Sequence, residues 1–391
     1  MSSTSIRNPL PIAAAILAVT SVGAGLSLSM PLLSMLFEQR GISGHWIGVN
    51  TATAGLAAIV AGPTITPMAQ KFGVVRSLTT LLVTASVSLV SIYLVDSFLA
   101  TFPLRFVFHA AITGIIILSE FWINAEAPPE RRGFFLGLYT TMLSIGFVIG
   151  PVILQATGIE GPVPFVIGAA VILAAAVPVL AAASHAPQLG DEPEAAWWRF
   201  IFLSPLAMGA VLVFGVAESG LLSLFPVYGL RLGYTPEIVA TFLIAMGAGN
   251  VLFQIPIGLL IDRASKRALI VLFSLAGLAG AIALPIATDS VTAMYAVIFF
   301  WGGVIPGLYT LGLAQLGTQY SGANLAAANA AFVMVYSFGN LVGPPSIGTG
   351  MEIWNPHGAM WVIAAGFGLL SVFAIGTSGQ RALSRRTRET A

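Results

Sequence analysis

Apolar runs of about twenty residues follow one another along almost the whole chain, separated by short breaks where charges, glycines and prolines gather. A run of that length crosses a hydrocarbon core of roughly 30 Å as a helix, with its backbone hydrogen bonds closed inside the segment. The pattern predicts an all-α membrane protein with twelve transmembrane helices, near 11–36, 44–69, 74–95, 98–122, 133–157, 162–184, 200–228, 236–261, 267–288, 290–316, 324–350 and 357–378. A membrane barrel would show shorter segments of alternating polarity. The longest polar interruption runs from His185 to Arg199, through Pro187, Gly190, Asp191, Glu192, Pro193 and Glu194. It separates the sixth helix from the seventh, so the expected organisation is an N-terminal six-helix bundle over 1–184, a linker over 185–199, and a C-terminal six-helix bundle with a short basic tail over 200–391. Arg7 ahead of the first apolar run gives it the look of a signal peptide. That run is too long for one and meets no cleavage site before Glu38, so it is expected to remain as a span.

Charge supplies an orientation. Only 8% of the 391 residues are charged and 57% are hydrophobic, with a mean hydropathy of +0.94. With the N-terminus inside, 13 of the 16 cations fall on the cytoplasmic side: Arg7, Lys71, Arg76, Arg131, Arg132, Arg199, Arg263, Lys266, Arg267, Arg381, Arg385, Arg386 and Arg388. Arg40 and Arg231 fall outside, and Arg105 within a span. An odd helix count would put the four tail arginines outside, so both termini are expected in the cytoplasm, most simply of a bacterium with this chain in its inner membrane. With no cysteine, thiolate metal sites, disulfides and cysteine catalysis drop out.

Two segments recur. Gly146-Phe147-Val148-Ile149-Gly150-Pro151 in the fifth helix matches Gly339-Asn340-Leu341-Val342-Gly343-Pro344 in the eleventh at an offset of 193 residues. The hairpin from Thr66 to Arg76 matches the one from Gly258 to Arg267 at an offset of 192. Both matches fall on corresponding helices of the two halves, which points to a duplicated bundle.

The Gly258–Arg267 hairpin resembles the pattern Gly-x-x-x-Asp-Arg-x-Gly-Arg-Arg carried by inside loops of the major facilitator superfamily of secondary transporters. Gly258, Asp262, Arg263, Lys266 and Arg267 match in kind, and Ser265 departs. In the earlier copy Thr66 and Gln70 depart, while Lys71, Gly73 and Arg76 survive. The segment Pro128-Pro129-Glu130-Arg131-Arg132-Gly133 before the fifth helix is also similar to that superfamily. Gly146 to Pro151 resembles a glycine-proline motif of its proton-driven antiporters, with Leu154 and Gln155 where two further glycines usually stand. The resemblance implies two pseudo-symmetric bundles, the first, fourth, seventh and tenth helices lining a central cavity, and a gating role for the charged hairpins. In that role Gly258 would let two helices approach and Asp262 would face a helix N-terminus of the other half. Simple positive-inside anchoring is the alternative. Gly146, Gly150 and Pro151, with Gly339, Gly343 and Pro344, are expected as close-packing sites and hinges.

Ionisable groups inside spans are the sharpest chemical candidates, since each is costly unless paired or facing a wet cavity. Arg105 and His109 lie four apart on one helix face, which Thr101 and Thr113 extend. Arg105 can instead snorkel to the interface, and His109 can titrate or simply bond a neighbour. Glu218 lies deep in the seventh helix beside Ser219 and Ser223. It is the candidate proton carrier, with a fixed pair to Arg105 as the alternative. Glu120 is expected at the interface or paired with Arg76 or Arg131. Cavity-lining candidates are Ser27, Ser29, Asn250, Gln254, Tyr309, Gln315, Asn329 and Tyr336, each equally able to bond a neighbouring helix, and Phe225, Phe300 and Trp301 are possible apolar walls. Trp46, Trp197 and Trp198 fit an interfacial belt.

Without a phosphate-binding Gly-x-x-x-x-Gly-Lys-Ser/Thr loop, transport energy is expected from a gradient, with protons favoured by Glu218 and His109. The leading expectation is proton-coupled efflux of a hydrophobic or amphiphilic solute by alternating access. Uptake or exchange of a small organic anion at Arg105 and His109, transport without ion coupling, and a non-transporting membrane partner are the alternatives. The residues form no nucleophile–base set or metal cluster, the histidines being scattered at 45, 109, 185 and 357, so an enzyme is not expected. The partners implied are a small organic solute, protons and membrane lipids, with no nucleic acid and no cofactor, in a monomer.

Overall fold

The computed structural model describes residues 9–128, 131–187 and 197–389. Pro129, Glu130, Arg7, most of the expected linker and the side chains of Arg132, Asp262, Arg381, Arg385, Arg386 and Arg388 lie outside the described set. Among the described residues, twelve helices are long and apolar enough to span a membrane. They are α1 Leu10–Gln39, α2 Gly44–Phe72, α3 Val74–Leu94, α4 Phe98–Glu126, α5 Arg132–Thr157, α6 Val163–Ala181, α7 Pro205–Arg231, α8 Pro236–Arg263, α9 Lys266–Ile286, α10 Val291–Gln319, α11 Gly322–Ile353 and α12 Gly358–Glu389. The windows read from polarity agree with these to within a few residues, except at three interruptions and at the end of α12, where the helix runs on past the apolar span that closes at Gly376. Ser204 separates a short helix, Arg199–Leu203, from α7. Helix α6 breaks at Ala175. Helix α10 breaks at Ile305–Pro306, where the proline has no N–H to give the carbonyl a turn back.

The loop chemistry explains the joints. Gly73, with φ +84°, ends α2 and starts α3 in a conformation that other residues rarely adopt. In the second copy Ser265 stands at φ −61° and its hydroxyl accepts the Ala268 N–H at 3.5 Å, so a side-chain cap starts α9 without glycine.

Helices α1 and α7 are the most enclosed of the described helices. Small residues permit the tightest crossings. Gly146 of α5 lies against Thr20 and Gly23 of α1, where an added methyl would sit 3.0 Å from the Gly23 Cα. Gly339 of α11 meets Leu212, Gly215 and Val216 of α7 in the same way. Thr20 and Leu212, and Gly23 and Gly215, are each 192 residues apart, so one crossing recurs in both bundles. Neither Pro151 in α5 nor Pro344 in α11 interrupts its helix. The expected hinge elements sit at helix contacts, and α6 and α10 are broken within their spans.

The halves meet mainly along α2 and α11. Gly44 lies against Gly348, Gly48 against Pro344 and Gly55 against Ser337 and Leu341. Val148 of α5 reaches Gly247 of α8. All this closure lies toward the end bearing Glu38 and Arg231. Toward the opposite end, bearing Lys71 and Lys266, an added methyl at Gly62 would meet nothing within 4 Å, and Val60 and Val333 are exposed. The central space therefore opens toward the Lys71 end.

Candidate functional site

In the N-terminal half Thr101 and Arg105 of the α4 stripe bond to α2. Arg105 is buried at 1% exposure, its Nη1 donating to Asn50 Oδ1 at 2.7 Å and to Thr51 Oγ1 at 3.4 Å. Asn50 Nδ2 in turn donates to Thr101 Oγ1 at 3.0 Å. The arginine neither snorkels nor reaches Glu218. Two of its nitrogens, Nε and Nη2, are buried without a partner. His109 is buried one turn along, with its ring edge-on to Phe108, and Thr113 donates back to the His109 carbonyl.

In the C-terminal half Glu218 of α7 accepts a hydrogen bond from the Tyr336 hydroxyl of α11. One turn before Glu218, Phe214 stacks on Tyr336 at 5.9 Å and lies 5.6 Å from Tyr309 of α10. Tyr309 also meets Phe332 at 5.1 Å and Tyr336 at 5.7 Å. Four rings and one carboxyl from three helices thus form a single cluster, with the carboxyl half-buried. The Asn340 Oδ1 is buried one turn past Tyr336.

Between the halves stands Glu120 of α4. It is exposed, makes no ion pair with Arg76 or Arg131, and lies within electrostatic reach of Tyr309 across the central space and of Tyr139 beside it. Proximity to the helix end suggested an interfacial residue; the helix face it occupies aims it into the opening instead.

The other candidates separate. Ser27 is fully buried in the α1–α5 crossing and donates to the Gly146 carbonyl at 3.3 Å, away from the cavity. Gln254 Nε2 donates to Asn250 Oδ1 at 2.9 Å along α8, facing the α10 break at Gly303, Pro306 and Gly307. Trp301 is a packing residue, its Nε1 bonded to the Gly277 carbonyl of α9 at 3.0 Å. Phe225 packs on Tyr228 and Phe242, and Phe300 is exposed. Trp46, Trp197 and Trp198 are exposed, as an interfacial belt requires. Of the hairpin residues, Lys71, Gly73, Arg76 and Arg263 are exposed, and Arg267 Nη2 donates to the Ala374 carbonyl at 3.3 Å. A methyl on Gly258 would meet nothing within 4 Å, so that glycine is at no helix contact here because the halves are apart at this end. Reasoning from sequence overlooked Asn50, Thr51, Phe214 and Phe332. It also took Arg231 only as an outside cation, although its ion pair with Glu38 bridges the halves.

A family model for the Major Facilitator Superfamily matches residues 15–304 and 243–389. The chain belongs to this superfamily. A relative described as an uncharacterized MFS-type transporter, YfkF of Bacillus subtilis, is 22% identical over 359 residues, covering 89% of this chain and 90% of its own. Another uncharacterized MFS-type transporter, YE1530 of Yersinia enterocolitica, is 24% identical over 270 residues, 68% of this chain and 69% of its own. Among solved structures, the nucleoside transporter NupG superposes with a TM-score of 0.73 at 16% identity, over 94% of this chain and 99% of that one. A D-xylose–proton symporter gives 0.74 at 15% identity over 93% and 96%. At such identities the superfamily structures share the fold. The chain is accordingly a transporter, not an enzyme, built as two six-helix bundles.

Proposed function

We propose that this transporter exports a hydrophobic or amphiphilic solute against proton entry, by rocking its two halves about the central space. The observation that carries this reading is the cluster of Glu218 and Tyr336 among Phe214, Tyr309 and Phe332. Rings on three helices supply apolar contact for a solute, and a carboxyl tied to one hydroxyl can exchange a proton as solute or water takes its neighbours' places. The cation asymmetry supports assigning the open Lys71 end to the cytoplasm of a bacterial inner membrane, where an exporter would collect its solute. The site is complete within one chain, in line with a monomer. Proton coupling has a precedent in this fold in the D-xylose–proton symporter.

In proteoliposomes, a pH gradient should drive movement of lipophilic solutes, and thermal-shift screening should show stabilisation by such solutes in preference to sugars, amino acids or organic anions. No gradient dependence with any stabilising solute would remove the reading. A second reading, exchange of a small organic anion, is favoured by the unpartnered Nε and Nη2 of Arg105. It requires stabilisation by organic anions that disappears in Arg105→Ala. Retained stabilisation would exclude it.

A further inference from the structure

We propose that Arg231 is the latch that holds the two halves together at its end of the molecule, and that its bond to Glu38 must break once in every transport cycle. Arg231 closes α7 in the C-terminal half, and Glu38 lies at the end of α1 in the N-terminal half. The guanidinium grips the carboxylate with two bonds, Nε to Oε1 at 2.7 Å and Nη2 to Oε2 at 3.1 Å. The same Nη2 reaches Glu352 Oε1 of α11 at 2.7 Å, and Nη1 reaches Asn355 Oδ1 at 3.2 Å. Glu352 Oε1 also accepts the Gly44 N–H of α2 at 2.7 Å, a second bond across the halves. His45 Nδ1 and Thr349 Oγ1, 2.8 Å apart, make a third.

Position in the repeat makes this more than a surface ion pair. Glu38 and Arg231 are 193 residues apart, one residue off the 192 that relates Gly23 of α1 to Gly215 of α7, so they occupy neighbouring positions of the repeat. The turns that follow them also correspond, with Gly41 at φ +73° and Gly233 at φ +88°. Such near-equivalent positions of two pseudo-symmetric halves can touch only close to the axis that relates them. Rocking about the central site opens or closes such a contact as a unit, so this pair reports and biases which end is shut. Its geometry suits the task. Two-pronged binding restrains both side chains, and the arginine side chain is only 13% exposed, which limits screening by salt. The latch also has a repulsive element, since closure brings Glu38 of one half and Glu352 of the other against one guanidinium. Removing that cation leaves two carboxylates facing each other. The remaining charged or titratable neighbours are engaged elsewhere: Arg40 donates to the Asp96 carbonyl, and His357 contacts the Tyr228 hydroxyl.

The native chain has no cysteine, so spin labels can be placed at will. Labels at Gln39→Cys and Thr235→Cys, both exposed at this end, read the distance between the halves by pulsed electron resonance. Arg231→Gln should raise the ratio of long-distance to short-distance molecules about tenfold, the effect of removing one well-formed charge-assisted contact from a two-state equilibrium. The exchange Glu38→Arg with Arg231→Glu should restore the short distance, because the cation then sits across the axis and still faces two carboxylates. Glu38→Gln should give an intermediate shift, and serves alone if Arg231→Gln does not fold. An unchanged distribution in the single variants, or an exchange variant as open as Arg231→Gln, would overturn the proposal.

Discussion

At Arg105 a buried guanidinium depends on one amide. Asn50 accepts its strongest bond and Thr51 a weaker one, both from Nη1, so Asn50→Ala should leave the buried guanidinium only the 3.4 Å contact to Thr51 and destabilise the fold by about 1–3 kcal/mol. Thermal unfolding in detergent checks this, and the variant should melt earlier than Thr51→Ala. At the opposite cluster, Phe214→Ala removes the ring that stacks on Tyr336 and touches Tyr309. It should weaken binding of an apolar solute by about tenfold while leaving the protein folded, the scale of losing one aromatic contact. Binding titration before and after the substitution measures it. The α4 stripe was legible because residues four apart share a helix face. Asn50, lying 55 positions from Arg105, was not, since nothing local in α2 marks it as the partner. Glu120 was misplaced for a related reason: depth along a helix can be counted from the chain, but the face turned to the central space depends on how the bundle is assembled.

Among elements, the glycine crossings separate contact from motif. Gly146→Val should force α5 away from α1, and Gly339→Val should do the same to α11 and α7, each costing about 1–3 kcal/mol by overpacking. Gly258→Ala should be nearly neutral in the state that opens at the Lys71 end, because no atom waits within 4 Å. Comparing the three melting temperatures tests the assignment. The length and order of the twelve helices were readable because the bilayer imposes one repeating length on apolar sequence. The break in α6 at Ala175 was not, since alanine and its apolar neighbours carry no stop signal. The break in α10 had its proline in plain sight, but Pro31, Pro103, Pro151 and Pro226 pass through helices without ending them. Proline therefore marked possible breaks without choosing among them.

The whole molecule is an asymmetric use of a symmetric plan. One α1–α5 crossing is repeated as α7–α11, yet the N-terminal half spends its buried polarity on the Arg105–Asn50–Thr101 chain, and the C-terminal half builds the carboxyl and ring cluster around Glu218. Such a division suits a carrier in which one half supplies the exchangeable site and the other a rigid counterpart. The offset of 192 to 193 residues was visible in the chain, but what it meant for Glu38 and Arg231 emerged only when the halves were seen closed at that end.

The most direct test of proton coupling through Glu218 is gradient-driven accumulation set beside solute exchange in proteoliposomes, for the native protein and for Glu218→Gln. The account predicts that the native protein accumulates a stabilising solute under a pH gradient, and that Glu218→Gln loses this accumulation while still exchanging solute between the two sides. Undiminished accumulation by Glu218→Gln with the native dependence on pH would contradict it.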